Sequence, residues 1–270
     1  MALPTPGPGR TAVVTGASSG IGEAIARELA ARGHGVVLVA RRAERLQALA
    51  EELRGRGVRA EPLAADLSDR DARAGLQGRI ERLDLVPDVL VNNAGLSTTG
   101  PIARSEPAAE LNMLEVNVMA LADLCSRFVP AMVDRGTGAV LNVASTAAFQ
   151  PLPGQAGYAA TKAFVLSYTR ALDAELAGTG VTATALCPGP VETEFEQVAG
   201  FAEGDAEAGL PKFMWETAEA VAKVGVDALA QGRAVAIPGL ANRLTANLAT
   251  VTPKRLLLPI IRRRHPSLHP

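Results

Sequence analysis

The chain is poor in several residue types that carry chemistry. Two cysteines, Cys125 and Cys187, in 270 residues cannot build a disulfide framework and suit a reducing compartment. Three histidines, His34, His265 and His269, share no ligand spacing with one another or with the cysteines, so no metal site is expected. They also leave a Ser-His-Asp hydrolase without a convincing histidine, since His34 precedes a strand candidate and the others lie in the tail. Aromatics at 3% offer no stacking platform for single-stranded nucleic acid, and a net charge of −1 gives no basis for binding through counterion release. Uninterrupted apolar runs fall short of the ~18 residues a membrane span needs, and the Pro- and Gly-rich segment Met1–Arg10, read as flexible, lacks the apolar stretch of a signal peptide. What is abundant is apolar residue: 48% against 20% charged, enough for a sizeable core. The expectation is a cytoplasmic chain with a single domain over 11–239 and no nucleic-acid partner.

Short β-branched runs alternate with helical patterns. Strands are predicted at Thr11–Thr15, Gly35–Ala40, Arg59–Ala65, Asp88–Val91, Ala139–Ala144, Val181–Cys187 and Ala234–Pro238. Several are almost continuously apolar, as strands are when both faces of a parallel sheet are covered. Between them, helices are predicted at Ile21–Arg32, around Leu46–Leu53, and at Asp69–Leu83, Pro107–Asp134, Gln155–Ala177 and Glu216–Gln231. This alternation predicts an α/β fold: a Rossmann-type, doubly wound, mainly parallel sheet of seven strands with helices on both faces. Ligands in such sheets bind beyond the carboxyl ends of the strands.

Directly after the first strand comes Thr15-Gly16-Ala17-Ser18-Ser19-Gly20-Ile21-Gly22, opening a helix. Glycines permit a sharp turn and close backbone approach to a pyrophosphate, and free N–H groups at a helix start attract the anion. The alternative is an ordinary tight loop, but the strand–turn–helix context favours a dinucleotide. At the end of the second strand stand Arg41 and Arg42, where an NAD binder would place a carboxylate for the ribose 2′-hydroxyl. A guanidinium suits a 2′-phosphate instead, so NADP(H) is favoured and NAD(H) is the alternative.

Tyr158 and Lys162 lie four apart on a predicted helix and so share one face. With 2 Tyr and 4 Lys in the chain, a chance Tyr-x-x-x-Lys has an expectation of roughly 0.03. Ser145 follows the fifth strand, and Asn117 falls inside a long helix that it suits poorly. With Asp66-Leu67, Asn92-Asn93-Ala94-Gly95, Pro188-Gly189 and Thr193, these motifs run in order over about the first 195 residues, and the chain resembles a short-chain dehydrogenase/reductase of the compact, single-domain type. The resemblance implies a catalytic set of Asn117, Ser145, Tyr158 and Lys162. Tyr158 would be the general acid or base, with a pKa lowered by Lys162 and by the oxidised nicotinamide. Ser145 would hold the substrate oxygen, and Asn117 a relay water. Cofactor contacts are implied at Gly16, Ser18, Ser19, Gly20, Ile21, Gly22, Arg41, Arg42, Asp66, Leu67, Asn93, Ala94, Gly95, Tyr158, Lys162, Pro188, Gly189, Val191 and Thr193. Substrate contacts are implied at Ser145, Gln150 and Tyr158. Asp66 would accept from the adenine amino group unless it merely caps the next helix. A homodimer or homotetramer through the two long helices is the family analogy.

Three segments are expected to line the substrate pocket: Leu96–Glu106, the uncharged Thr146–Gly157, and Pro190–Trp215. The last, with Phe195, Phe201, Phe213, Met214 and Trp215 beside Glu192, Glu194, Glu196, Glu203, Asp205 and Glu207, reads as a lid, apolar inside and acidic outside. The expected substrate is a small apolar ketone, aldehyde or alcohol. A non-catalytic NADP(H)-binding or sensing protein, or an NAD-dependent dehydrogenase, is the competing reading. The tail 240–270 is basic and apolar, with Leu240, Leu244, Leu248 and Val251 at helical spacing and Pro253 and Pro259 as breaks. The expectation is that this stripe packs on the body or a partner subunit; a peripheral membrane contact is the alternative.

Overall fold

The computed structural model describes residues 3–194 and 211–264. Seven strands, β1 (Arg10–Thr15), β2 (Gly35–Ala40), β3 (Ala60–Ala64), β4 (Val86–Asn92), β5 (Gly138–Val143), β6 (Val181–Leu186) and β7 (Val235–Ala236), form one sheet in the order 3-2-1-4-5-6-7. Every pairing is parallel. The order reverses beside β1, which opens the crevice where a dinucleotide binds in such sheets.

The continuous apolar strands are explained by the two cores. Ala12, Val14, Val36, Leu38, Val89 and Leu141 face one side, under α1 (Gly20–Ala31), α2 (Ala43–Gly55) and α7 (Ala218–Ala230). Their neighbours Val13, Val37, Val39, Leu90 and Val140 face the other, under α3 (Arg70–Glu81), α5 (Ala120–Asp134) and α6 (Ala156–Glu175). Alternate residues thus serve opposite faces, and neither face tolerates a polar stripe.

Several boundaries differ from expectation. β4 begins at Val86 and runs to Asn92, and β7 is only two residues long. The segment before β1 lies against the body, with Leu3 packed on the core and Pro4 buried. The predicted helix Pro107–Asp134 is continuous but not uniform: α4 (Pro107–Leu114) passes through a π-turn, Glu115–Met119, into α5. By length and composition it could cross a membrane; here α5 buries Leu121, Leu124, Phe128 and Met132 against the sheet.

The tail departs most. α8 (Leu240–Val251) ends where Thr252, preceding Pro253, is extended, as the residue before a proline is driven to be. Pro259, expected to break the chain, instead sits inside α9 (Lys254–Arg264). The leucine stripe does not pack on the body of its own chain. α8 buries Asn242, Ala246 and Ala249, whose small or polar side chains allow close approach to the turn Thr146–Phe149 and to Lys212–Met214. Leu240, Leu244, Leu248 and Val251 point outward, 74%, 61%, 64% and 77% exposed.

Candidate active site

The glycine turn is locked from beneath. Thr15 Oγ1 accepts from the N–H groups of Asn93 and Ala94 and donates to Val91 O, while Asn93 Nδ2 donates to Thr15 O at 3.0 Å. A Cβ at Gly22 would lie 2.4 Å from Gly16 O, and Gly16 itself has φ +66°, so the fold demands glycine at both positions. Ser19, the N-cap of α1, makes no side-chain capping bond, which leaves the first-turn N–H groups to an anion. This geometry fits a pyrophosphate.

The arginine pair divides its work. Arg42, not Arg41, turns back over the glycine turn: Nε donates to Ser18 Oγ at 3.1 Å and Nη2 to Ser19 Oγ at 2.6 Å. Its remaining nitrogen pairs with Glu194, which also pairs with Arg45. Arg41 stands near Asp66 instead and helps to hold that carboxyl low, behind the larger effect of the Ser68 N–H. Asp66 is exposed beyond β3 and is not the cap of α3; Asp69 is, accepting from Asp71 and Ala72. Leu67 is buried beside it, and its carbonyl accepts from Arg73 at 2.6 Å.

Arg73 was not legible as special. It is 2% exposed, and its other nitrogens reach Glu115 and Asp123, joining the Asp66-Leu67 loop to the π-turn. Within that turn Asn117 is buried: its Oδ1 accepts from Leu96 N, and its Nδ2 donates to Leu96 O and to Thr161 Oγ1. The side chain thus ties the loop after β4 to α6.

Ser145, Tyr158 and Lys162 converge at the carboxyl end of β5. Ala147 N donates to Ser145 Oγ at 3.1 Å, and the Ser145 and Tyr158 side chains are hydrogen-bonded. Lys162 Nζ donates to Val143 O at 2.9 Å and lies 5.7 Å from the Tyr158 ring centroid. Gly95 lies against both Asn117 Oδ1 and Lys162 Nζ, 3.3 Å and 3.4 Å from where a Cβ would stand. The Tyr158 ring lines the cleft, half-buried, yet protein surrounds the group closely enough that desolvation pushes its pKa up to about 12, opposed by Ser145. Desolvation also brings Lys162 down to about 8. Lys162 uses one of its three N–H donors on Val143 O, which leaves two for other partners. Asn92, in the same motif as Asn93, faces inward to Asn142 and Cys125 rather than to the cleft.

On the substrate side, Gln155 Nε2 donates to Ser97 Oγ, bringing two of the expected segments together. Gln150 ends the turn Thr146–Phe149, half-buried. Pro188 O accepts from Thr146 N, and Val191 is buried and bridged to Glu216. Thr193 lies over the glycine turn, its methyl 3.0 Å from where a Gly20 Cβ would be. Asn242 of α8, unnoticed in the sequence, fills the space beside Gly189 and donates to Met214 O. Phe195, Glu196, Phe201, Glu203, Asp205 and Glu207 of the expected lid, with His265 and His269, lie outside the described residues. Both cysteines are buried, and among the described residues no cluster of metal ligands occurs. Gly16–Gly20 also spells the Gly-x-Ser-x-Gly of a hydrolase elbow, but Ser18 is bonded to Arg42 and His34 precedes β2, at the strand's far end from the cleft.

The short chain dehydrogenase model matches residues 10–202. A short chain dehydrogenase of Pseudocercospora fijiensis is 42% identical over 69% of this chain, a match spanning 61% of that protein. The sulfoacetaldehyde reductase of Chromohalobacter salexigens is 41% identical over 68% of this chain and 74% of its own length. A short-chain dehydrogenase from Sphingobium yanoikuyae, solved with NADPH, superposes with a TM-score of 0.79 at 34% identity, covering 93% of this chain and 95% of that one. The chain belongs to the short-chain dehydrogenase family. It is an oxidoreductase of the kind that uses a nicotinamide dinucleotide; similar solved chains hold NADPH, NADP or NAD.

Proposed function

We propose that the protein interconverts an apolar ketone or aldehyde and its alcohol, with NADP(H) as cofactor and Tyr158 as acid or base. The observation that carries this reading is the convergence of Ser145, Tyr158 and Lys162 beside a glycine turn gripped by Arg42. When bound, the cofactor supplies or accepts the hydride. The chain's own residues do the rest. Backbone N–H groups at the start of α1 hold the pyrophosphate, and Arg42 with Arg45 receives a 2′-phosphate. Ala147 N–H occupies a lone pair of Ser145, which favours donation of the serine proton toward a substrate oxygen as charge grows there. Tyr158, a neutral phenol near pH 7 and kept so by burial, gives its proton to that oxygen in reduction. Lys162, anchored on Val143 O, is placed to hold a ribose and to stabilise the phenolate left behind.

The uncharged Thr146–Gly157 segment supports an apolar substrate. We also infer a homo-oligomer through α4, α5 and α6, where Leu111, Leu114, Met119 and Phe164 remain exposed. The test is NADPH consumption against a panel of apolar ketones and aldehydes, with a sulfonated aldehyde as the charged counter-case. Turnover of apolar members supports the reading. Tight NADPH binding without turnover of any carbonyl would leave a binding or sensing protein.

A further inference from the structure

We propose that the outer face of α8, with the start of α9, is a docking surface for an anionic lipid bilayer. α8 turns Leu240, Leu244, Leu248 and Val251 to solvent, and Leu256 of α9 is 59% exposed beyond them. The flanking charge is of one sign: Arg243 on α8, Lys254 and Arg255 at the junction, Arg262 and Arg263 at the end of α9. No acidic residue follows Asp227 in a chain whose net charge is −1. Beside Val251 and Thr250, a groove lined by Phe149 and Leu166 carries the exposed Arg170 of α6. Apart from Glu216, whose carboxylate lies beside Gly239 at the start of α8, the stripe is edged by basic residues and its own helices carry no acidic residue, the composition of a helix that lies in the headgroup layer, leucines toward the acyl chains and cations toward lipid phosphate.

Charge selects this occupant over a second copy. A two-fold pairing of the same face would set Arg243, Lys254 and Arg255 against their own copies, and α8 and α9 themselves offer no carboxylate to pair with them. A bilayer containing anionic lipid neutralises all of them at once. The position of the face also fits. α8 packs on the turn Thr146–Phe149 and on Lys212–Met214, and Lys254 Nζ approaches Phe149 O at 3.4 Å. Phe213 in the second of those segments is 74% exposed, and Ile102, in the loop after β4, is 67% exposed. These segments stand at the carboxyl ends of the strands, so the bilayer would meet the molecule on the side where the cleft opens.

Removal of the tail is a poor test, because Asn242 fills the space beside Gly189. The informative variants change only exposed side chains: Leu244→Glu with Leu248→Glu, and separately Arg243→Gln with Arg255→Gln. The full chain and both variants are sedimented with vesicles of phosphatidylcholine, alone or mixed with phosphatidylglycerol, at low and high salt. Size-exclusion chromatography is run on the same samples. Binding of the unaltered chain to the mixed vesicles only, reduced by salt and weakened roughly tenfold or more in both variants, is the expected result. Three results overturn the proposal: no binding to the mixed vesicles at low salt, binding that the variants leave unchanged, or an assembly that the leucine variant dissociates, which would make the face a contact between copies. The proposal does not rest on substrate identity, so its failure would leave the oxidoreductase reading untouched.

Discussion

Glu194 takes one arm of Arg42 at 2.9 Å, while the other two nitrogens of that guanidinium rest on Ser18 and Ser19. A carboxylate from the segment after β6 thus closes over the glycine turn and holds the cation that a 2′-phosphate would use.

Arg42→Ala should weaken NADPH by about 1.5–3 kcal/mol, the scale of one charge-assisted fork, and NADH far less. Fluorescence titration with both cofactors checks this. Equal weakening would remove Arg42 as the phosphate reader and return attention to Arg41. Glu194→Gln should do the opposite and tighten NADPH by about twofold to fivefold, since an exposed ion pair competes only modestly.

Tyr158→Phe should keep NADPH affinity and the unfolding midpoint nearly unchanged while lowering turnover by at least ~10²-fold. The comparison needs a substrate found by the carbonyl panel. Turnover close to that of the unaltered enzyme would exclude Tyr158 from proton transfer.

Burial brings Lys162 down to about 8 in the folded chain, below the ordinary lysine value of 10.5. Between those values the unfolded chain binds the extra proton, so Lys162 makes stability rise with pH across that window. Tyr158 runs the other way. Its pKa is raised from 10 to about 12, so the folded chain holds the proton longer and stability falls as pH climbs from 10. Lys162→Met removes the first effect. Its urea-unfolding stability relative to the unaltered chain, both without cofactor, should be most favourable at neutral pH and decline toward pH 10. A difference independent of pH would show that the lysine pays no desolvation cost.

Arg73→Ala should destabilise the fold by roughly 3–5 kcal/mol, because it removes a buried cation from Leu67 O, Glu115 and Asp123 together. Thermal unfolding measures it. A shift within the scatter of surface substitutions would mean that the three acceptors find water instead.

Much of this was readable from residue order. The two-faced strands announce themselves as unbroken runs such as Val36–Val39, and the glycine turn is recognisable because strand and helix flank it. Other features depend on which way a side chain points. Arg41 and Arg42 are indistinguishable until the end of β2 sends one toward Asp66 and the other toward Ser18. Arg73 looks like any charged residue on an amphipathic helix until three acceptors surround it. The leucine periodicity of α8 correctly signals a helix, but spacing alone does not say that Ala246 and Ala249 form the packed side. Pro259 defeats the rule for proline because an exposed helix at the chain's end can tolerate one missing bond.

The π-turn at Glu115–Met119 amounts to one residue more than a regular helix needs there. Each residue advances an α-helix by about 100°, so the insertion rotates α4 against α5 by about that angle. On one side of the offset Glu110 meets Thr98 and α6 at Gly157, and on the other α5 seats Leu124 and Phe128 in the core. Deleting a single residue from this turn would restore a textureless helix yet spoil both contacts, and it would swing Asn117 away from Leu96 and Thr161. The irregularity works as a phase adjuster: it lets one rod obey two neighbours whose faces are not aligned.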